Sequence, residues 1–228
     1  MKVAIHQPQY LPWLGYFDKM DRADVFVLLD DVQYKKNEWQ NRNKIRNAEG
    51  WQWLTVPVLY EFGQLLKDVR IDGRQPWRNK HLKGLELNYS RAPYFKEYLP
   101  FFSDTFNREW EFLADVNIHF IRYLKETLGI GAELIRSSSL GVGTGKTERL
   151  VDICEKLKAD TYVSGAGGDD YLDKERFRKS GIALEFQAYS HPGYSQIFNG
   201  FYPHMSVVDL LFCCGGKSLD IIREGRKQ

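Results

Sequence analysis

The residues with the clearest chemical potential lie in four short polar segments, each directly after an apolar run of the sequence. The segments contain His6, Gln7, Gln9 and Tyr10; Asp30, Asp31, Gln33 and Tyr34; Arg136, Ser137 and Ser138; and Ser164. Apolar runs of this length indicate buried strands, and open parallel sheets bind ligands beyond the carboxyl ends of their strands. We therefore predict that the segments meet in one pocket, although any single one is also typical of an ordinary turn.

Within that predicted pocket, His6, Asp30 and Asp31 are candidate catalytic groups. Neighbouring carboxylates can orient an amine, accept its proton or bind Mg²⁺. The alternative for the two aspartates is that they cap a turn or a helix.

Basic residues in two other segments are candidates for holding an anion. Lys44 is a candidate catalytic cation, and Arg42 can grip two oxygens in a fork. The run Gly141-Val-Gly-Thr-Gly-Lys-Thr resembles a phosphate-binding P-loop, but Leu140 stands where its first glycine belongs. Because a glycine-rich turn that enters a helix can bind an anion through backbone N–H groups, Lys146 and Thr147 remain secondary candidates.

Aromatic and amide side chains supply the remaining candidates for substrate binding. They are Trp13, Asn37, Trp39 and Asn41. A flat ring can stack on a sugar or a base, and amides can bond hydroxyl groups. Packing of Trp39 in the core is the alternative interpretation.

The elements that must position these residues alternate between strand and helix along most of the chain. A strand at residues 3–5, a helix at 14–21 and a strand at 25–29 predict a right-handed βαβ unit. Further strands are predicted at residues 51–58, 69–72, 134–138, 162–165 and 183–189, and further helices at 146–157, 171–180 and finally 206–213, with Ser206 as the N-cap. The fold class is therefore α/β, a mostly parallel sheet flanked by helices, as one domain over residues 1–228 with a helical insertion at about 77–128.

Bulk properties narrow the classes of function. The 32 basic and 30 acidic residues are mixed along the chain, so no basic field favours nucleic acid. The apolar stretches are far shorter than the roughly 20 residues of a membrane span, and no signal region precedes the first strand, so we expect a cytoplasmic protein. The cysteines and histidines lack the paired spacing of a zinc site, and no metal site is predicted.

Several of these segments together resemble the WbqC-like protein family. The resemblance rests on His6-Gln-Pro-Gln-Tyr-Leu-Pro-Trp-Leu-Gly-Tyr-Phe, Leu29-Asp-Asp-Val-Gln-Tyr, Trp39-Gln-Asn-Arg-Asn-Lys-Ile, Trp51-Gln-Trp-Leu-Thr-Val-Pro-Val and Arg136-Ser-Ser, and it runs almost end to end. It implies a role in gene clusters that make bacterial surface polysaccharides, such as the O-antigen of lipopolysaccharide, including those with acylated amino sugars.

The first βαβ unit is also similar to that of HIGH-type nucleotidyltransferases and pantothenate synthetase. This looser similarity implies a Rossmann-like sheet of the nucleotidyltransferase type, with ATP and Mg²⁺ as candidates for activating a carboxylate. It also implies that His6 and Gln9 contact the nucleotide phosphates and stabilise charge that builds on the transferring phosphoryl group. The second histidine of the HIGH pattern is replaced here, and no Lys-Met-Ser-Lys-Ser run exists. A reaction without ATP therefore stays open.

The motifs and resemblances together predict an enzyme that forms an amide between an activated carboxylate and the amine of a nucleotide-linked amino sugar. The alternatives are nucleotidyl transfer to a sugar phosphate, acyl transfer from a carrier without ATP, and a non-catalytic protein that binds a glycan precursor. The sequence leaves open the sugar, the acyl donor and the oligomeric state.

Overall fold

The computed structural model describes residues 1–227 as an α/β fold, which confirms the predicted fold class. The strands are β1 (Lys2–His6), β2 (Val25–Leu28), β3 (Arg42–Asn47), β4 (Gly50–Thr55), β5 (Val58–Leu59), β6 (Arg70–Ile71), β7 (Glu133–Arg136), β8 (Thr161–Ser164) and β9 (Ala183–Phe186). The α-helices are α1 (Leu14–Asp21), α2 (Trp77–Tyr89), α3 (Phe95–Asn107), α4 (Leu113–Leu128), α5 (Lys146–Lys156), α6 (Lys174–Lys179), α7 (Val207–Cys214) and α8 (Ser218–Glu224). No helix in residues 1–227 combines the length and the apolar character that crossing a membrane requires.

Five strands form one parallel sheet in the order β7-β2-β1-β8-β9. The central strand β1 pairs with β2 on one side, with Val3 opposite Val25, and with β8 on the other, with Val3 opposite Tyr162. The chain starts in the middle of this sheet, builds outward to one edge, and then returns to build the other half. Such an order creates a topological switch point, here between β1 and β8.

The two faces of the sheet are covered by different helices, because side chains alternate along each strand. Ala4 packs with Phe17 of α1 in the larger apolar cluster, which also includes α2 to α4. Val3 and Ile5 pack on the opposite face in a second cluster with Phe177 of α6 and with α5. The connections that leave β1 and β8 therefore run to opposite faces and leave a crevice between them at the carboxyl edge.

The strand predicted at residues 51–58 exists in part, but it lies outside the parallel sheet. It forms β4, which pairs antiparallel with β3, and β3 was not predicted. Ile45 is the one apolar residue of β3, and the other two buried residues of the strand, Asn43 and Arg46, are polar. Asn43 donates hydrogen bonds to the carbonyls of Tyr10 and Leu11 at 3.3 and 2.7 Å, and Arg46 donates to the Asn199 carbonyl at 2.8 Å. β3 therefore lacks the alternation of apolar and polar residues by which a strand is recognised in a sequence.

The helical segments agree with the sequence in position but not always in extent. Helices α2, α3 and α4 fall within the predicted insertion, and Ser206 caps α7 by accepting a hydrogen bond from the Val208 N–H at 3.3 Å. The helix predicted at 206–213 is not the last, since Gly215, with φ of 56°, ends α7 and α8 follows. Helix α6 begins only at Lys174, where Asp173 caps its first turn.

Candidate functional site

A cavity of about 300 Å³ lies at the switch point of the sheet. Its polar lining comes from both sides of the crevice: His6, Gln7, Lys19, Gly165, Gly167 and Gly168. A neighbouring cavity of about 390 Å³ shares Leu29, Leu150 and Tyr171 with it and adds Lys146 and Arg149. We call the two adjoining cavities the cleft. Other cavities of similar size lie at the helical insertion and at the β5 loop, away from the strand ends.

Lys19 is the most unusual residue of the cleft, because its side chain is buried while no carboxylate of residues 1–227 pairs with its charge. The residue is 4% exposed, and its ammonium group donates a hydrogen bond to the Ile5 carbonyl at 2.8 Å. Within residues 1–227 it forms no ion pair with a carboxylate. Burial lowers the pKa of Lys19 to about 7. A buried, unpaired cation that lines a cavity is suited to hold an anionic group.

His6 ends β1 beside Lys19, and its ring lies against Tyr16 with 4.9 Å between ring centroids. Its Nε2 is 3.4 Å from the side-chain nitrogen of Gln9, while its Nδ1 is buried without a partner. Burial, assisted by the nearby Lys19 charge, lowers the pKa of His6 to about 3. The imidazole is therefore neutral at physiological pH and offers a ligand a neutral donor or acceptor, not a second positive charge.

A glycine-rich turn after β8 forms the opposite wall of the crevice. A side chain on Gly168 would place its Cβ 1.9 Å from the Ser164 hydroxyl, so only glycine allows this close approach. At Gly165 and Gly167 a Cβ would meet no atom within 4 Å. Ser164 thus supports the turn from below, and the glycines leave room for a ligand beside the backbone.

Asp30 lies at the carboxyl end of β2 and is fully buried. Its carboxylate accepts hydrogen bonds from the Ser138 N–H at 3.0 Å, the Ser138 hydroxyl at 2.9 Å and the Arg136 Nε at 2.7 Å. Burial alone would raise the pKa of Asp30, but these hydrogen bonds and the Arg136 charge hold it below its usual value. Since its acceptor sites are occupied, Asp30 joins the ends of β2 and β7 and is poorly placed to take a proton from a substrate.

Asp31 connects the aspartate cluster to the cleft. It accepts a hydrogen bond from the Ser137 hydroxyl and pairs with Arg149 at 2.5 Å. Arg149 also lines the cleft, and its Nε is buried without a partner. Asp31 therefore orients a cation of the cleft wall.

The first turn of α5 supplies the neighbouring wall. Lys146 is exposed there, whereas the Thr147 hydroxyl accepts a hydrogen bond from the Asp173 N–H at 3.2 Å. A lysine beside the amino end of an 11-residue helix adds a favourable environment for an anion.

Other predicted site residues lie outside the cleft lining. Arg42, Lys44 and Trp39 belong to the β3–β4 hairpin and the loop before it, where both cations stack on tryptophan rings. Asn37 and Gln33 are exposed in the preceding loop. One link joins this region to the cleft: the Gln40 side chain donates to the Gln7 side chain at 2.7 Å.

The remaining predicted residues have structural contacts. The Tyr10 hydroxyl hydrogen-bonds to His81 at 2.7 Å, and Asn41 donates to the Val56 carbonyl at 3.1 Å. The Trp13 indole covers Gly15. Tyr34 is buried beside Tyr60, with ring centroids 5.1 Å apart. These contacts give each of the four side chains a packing role.

Sequence reasoning missed Lys19, Arg149 and the glycine turn as site residues. Lys19 sits next to Met20 on a helix whose apolar spacing explains Leu14 and Phe17, so no periodicity singles it out. Arg149 lies one turn after the partial P-loop pattern, which was the nearest available signal.

Comparison with known proteins gives one family. The model of the WbqC-like protein family matches residues 7–221. The chain is also similar to Uncharacterized protein Rv1507c of Mycobacterium tuberculosis, with 37% identity over 230 residues that cover 99% of each chain. No solved structure matches the chain.

Proposed function

The chain belongs to the WbqC-like protein family, and we propose that it is an enzyme that acts on a phosphate-bearing small molecule during the assembly of bacterial surface glycans. Its reaction in this proposal joins an activated carboxylate to the amine of a nucleotide-linked amino sugar. The observation that carries the proposal is the buried ammonium group of Lys19 at the switch point of the sheet, which pairs with no carboxylate in the part of the chain that the structure describes.

The positions of the charged groups support a ligand with more than one phosphate. Lys19 lies at the crevice between β1 and β8, and Arg149 with Lys146 lies at the other part of the cleft. The glycine turn allows backbone to approach the ligand closely, which suits a tetrahedral oxyanion. Leu29, Leu150 and Tyr171 provide apolar surface between the cationic ends. A nucleotide has this combination of phosphates and a flat apolar base.

The proposed chemistry has two steps. A carboxylate oxygen attacks the α-phosphorus of ATP, and the bond to pyrophosphate breaks, which leaves an acyl adenylate. The sugar amine then attacks the acyl carbon, the bond to AMP breaks, and the new amide nitrogen releases one proton to solvent. Lys19 would stabilise the negative charge on the phosphoryl oxygens, and neutral His6 would position one of those oxygens by a hydrogen bond.

Any Mg²⁺ bound with the nucleotide would depend mainly on the phosphates for its ligands. Asp30 is occupied and Asp31 is paired with Arg149. Residues 1–227 contain no group of three or more histidine, cysteine or acidic side chains arranged to hold a metal. A metal held chiefly through nucleotide phosphates and water is usual for Mg²⁺.

The test is pyrophosphate release by the purified protein with ATP, Mg²⁺, a panel of carboxylates and a panel of nucleotide-linked amino sugars. Release that needs both partners, with a product whose mass equals that of the nucleotide sugar plus the carboxylic acid minus water, supports the proposal. Release with a nucleoside triphosphate and a sugar phosphate alone indicates nucleotidyl transfer, which the same anion site would also serve. Binding of these ligands without turnover indicates a non-catalytic protein and contradicts the proposal.

Matched variants connect the activity to the cleft. Lys19→Met removes the buried charge, while Lys179→Met removes the same charge from the exposed surface of α6. We expect the first to lower kcat/KM by at least tenfold, as for loss of a charged hydrogen bond of about 1.5–3 kcal/mol, and the second to leave it unchanged. Equal activity in both variants would remove Lys19 from the mechanism.

A further inference from the structure

The β3–β4 hairpin and the loop before it carry a partly exposed ladder of aromatic and cationic side chains. Its members are Trp39, Arg42, Lys44, Trp51 and Trp53. The guanidinium of Arg42 lies 4.2 Å from the Trp53 ring centroid, and the Lys44 ammonium lies 4.0 Å from that of Trp51. Trp53 in turn contacts both other tryptophans, with centroids 5.7 and 5.5 Å apart. The five side chains therefore form one continuous surface.

This surface is the outer face of a two-sided hairpin. Ile45 and Leu54 point inward, are 0% and 2% exposed, and face Gly84 of α2. By alternation, Lys44 and its cross-strand partner Trp53 point outward. Trp51 is 39% exposed although it is large and apolar. The core is complete without the ladder, so packing alone does not account for the concentration of tryptophan there.

The polar groups of the ladder are all donors without protein acceptors. Among residues 1–227, neither Arg42 nor Lys44 forms an ion pair or a side-chain hydrogen bond, and the Arg42 Nε is buried without a partner. The indole N–H groups of the three ladder tryptophans likewise have no acceptor in the described chain, in contrast to Trp110, which donates to a carbonyl. A surface of donors alone complements a ligand that is rich in acceptors and negatively charged.

The covered ring faces decide between acidic ligands. A nucleic-acid base would need an open ring face for stacking, but Arg42 lies over one face of the Trp53 ring and Lys44 lies over one face of the Trp51 ring. The chain also has a net charge of only +2, without the basic field of a nucleic-acid-binding protein. A carboxylated saccharide instead presents acceptor oxygens to the cations and the indole N–H groups along its length.

We propose that the ladder binds an acidic saccharide chain, with carboxylates on the Arg42 and Lys44 side chains and sugar hydroxyl or ring oxygens on the indole N–H groups. The site is separate from the cleft but connected to it, since Gln40, next to Trp39, hydrogen-bonds to Gln7 of the cleft. The inference stands on the hairpin alone and does not depend on the reaction proposed above.

The test is titration of the full-length protein with oligogalacturonate, which carries a carboxylate on each ring, followed by tryptophan fluorescence and calorimetry. A malto-oligosaccharide of equal length is the neutral control ligand. We expect the acidic chain to change tryptophan emission and to bind more weakly as salt rises, and the neutral chain to bind at least tenfold more weakly.

Variants assign that binding to the ladder. Arg42→Met with Lys44→Met should weaken oligogalacturonate binding at least tenfold, whereas Arg122→Met with Lys179→Met, which removes the same charge from exposed positions of α4 and α6, should not. Lys44→Met alone is the milder variant if the double change disturbs folding, because the Lys44 side chain makes no hydrogen bond within the described chain. Lys19→Met should bind normally, which separates this test from that of the cleft.

Three results would overturn the inference. The first is equal binding of the neutral chain, and the second is equal loss of binding in the two double variants. The third is tighter, ladder-dependent binding of phosphatidylglycerol vesicles or of a single-stranded oligonucleotide, which would assign the surface to a membrane or to nucleic acid.

Discussion

Replacement of Lys19 by methionine is expected to stabilise the fold and to abolish anion binding at the same time. Methionine has a similar length and flexibility, so it can fill the space of the lysine stem. The variant loses the charge that the cleft offers to a phosphate. It also loses the free-energy cost of burying that charge, because Lys19 is 4% exposed and has no carboxylate partner in the described chain.

The size of the stabilisation follows from the pKa of Lys19, which falls from 10.5 to about 7 on burial. Each pKa unit corresponds to about 1.4 kcal/mol, so the buried charge costs about 5 kcal/mol below pH 7. Loss of the hydrogen bond to the Ile5 carbonyl reduces the expected stabilisation of the variant by about 1 kcal/mol. We therefore expect the variant to be more stable than the natural protein by about 3–4 kcal/mol at pH 6.

The gain must also depend on pH. Because the folded pKa of Lys19 lies below its unfolded value, the unfolded chain binds more protons between about pH 7 and pH 10.5. The free-energy cost of burying Lys19 in the natural protein therefore decreases as pH rises through that window. Relative to the variant, the natural protein should recover about 2–3 kcal/mol between pH 6 and pH 9.

Urea unfolding of both proteins at pH 6 and pH 9, read by circular dichroism, measures these differences. A thermal-shift titration with inorganic pyrophosphate measures the anion site, and Lys179→Met serves as the exposed control, with an expected change within about 0.5 kcal/mol. A variant with unchanged stability at pH 6, or with the same gain at both pH values, would refute the buried-charge argument. Equal stabilisation of natural protein and variant by pyrophosphate would refute the assignment of the anion site.

Three further predictions concern the glycine turn, Asp30 and His6. Gly167→Ala should fold normally, because its methyl group enters open space, and it should weaken pyrophosphate binding in the thermal-shift assay, because that space lies in the cleft. Gly168→Ala should instead lower Tm, because its Cβ would meet the Ser164 hydroxyl. Asp30→Asn should lower the free energy of unfolding by about 2–4 kcal/mol at pH 7, measured by urea unfolding. The folded state lowers the pKa of Asp30, so the ionised carboxylate stabilises the fold above its unfolded pKa, and this stabilisation is lost as pH falls through the folded pKa. The difference between the variant and the natural protein should therefore shrink in acid. The ring proton signals of His6 should not titrate between pH 5 and pH 8 by NMR, because its pKa is about 3, and an ordinary titration midpoint near pH 6.5 would contradict its burial.

The sequence predicts the part of this molecule in which local pattern and tertiary environment agree. β1, α1 and β2 follow from two apolar runs and one helical periodicity. The meeting of Asp30 with Ser137 and Ser138 follows from the rule that carboxyl ends of parallel strands share one edge. Both inferences need only the direction of the strands, which the βαβ connection already determines.

The predicted hairpin residues lie away from the cleft for a physical reason. Arg42 and Lys44 are close in sequence to the aspartates, but sequence distance does not determine which way a side chain points. β3 lies outside the parallel sheet, in an antiparallel pair with β4, where Arg42 stacks on Trp53 and Lys44 stacks on Trp51. The burial of Lys19 was equally hidden, because it depends on the packing of α1 against a sheet end and not on helical spacing.

The contrast between Asp30 and Lys19 gives the strongest reason to place function at the switch point. Both charges are buried within one sheet edge, and both would be costly without compensation. Asp30 is compensated by a guanidinium, a backbone N–H and a hydroxyl, and its lowered pKa shows that the compensation exceeds the cost of burial. Lys19 has one carbonyl, and its pKa is lowered to about 7. A fold selected for stability alone would gain from an apolar residue there, so the charge of Lys19 is best explained by a ligand that supplies the missing negative charge.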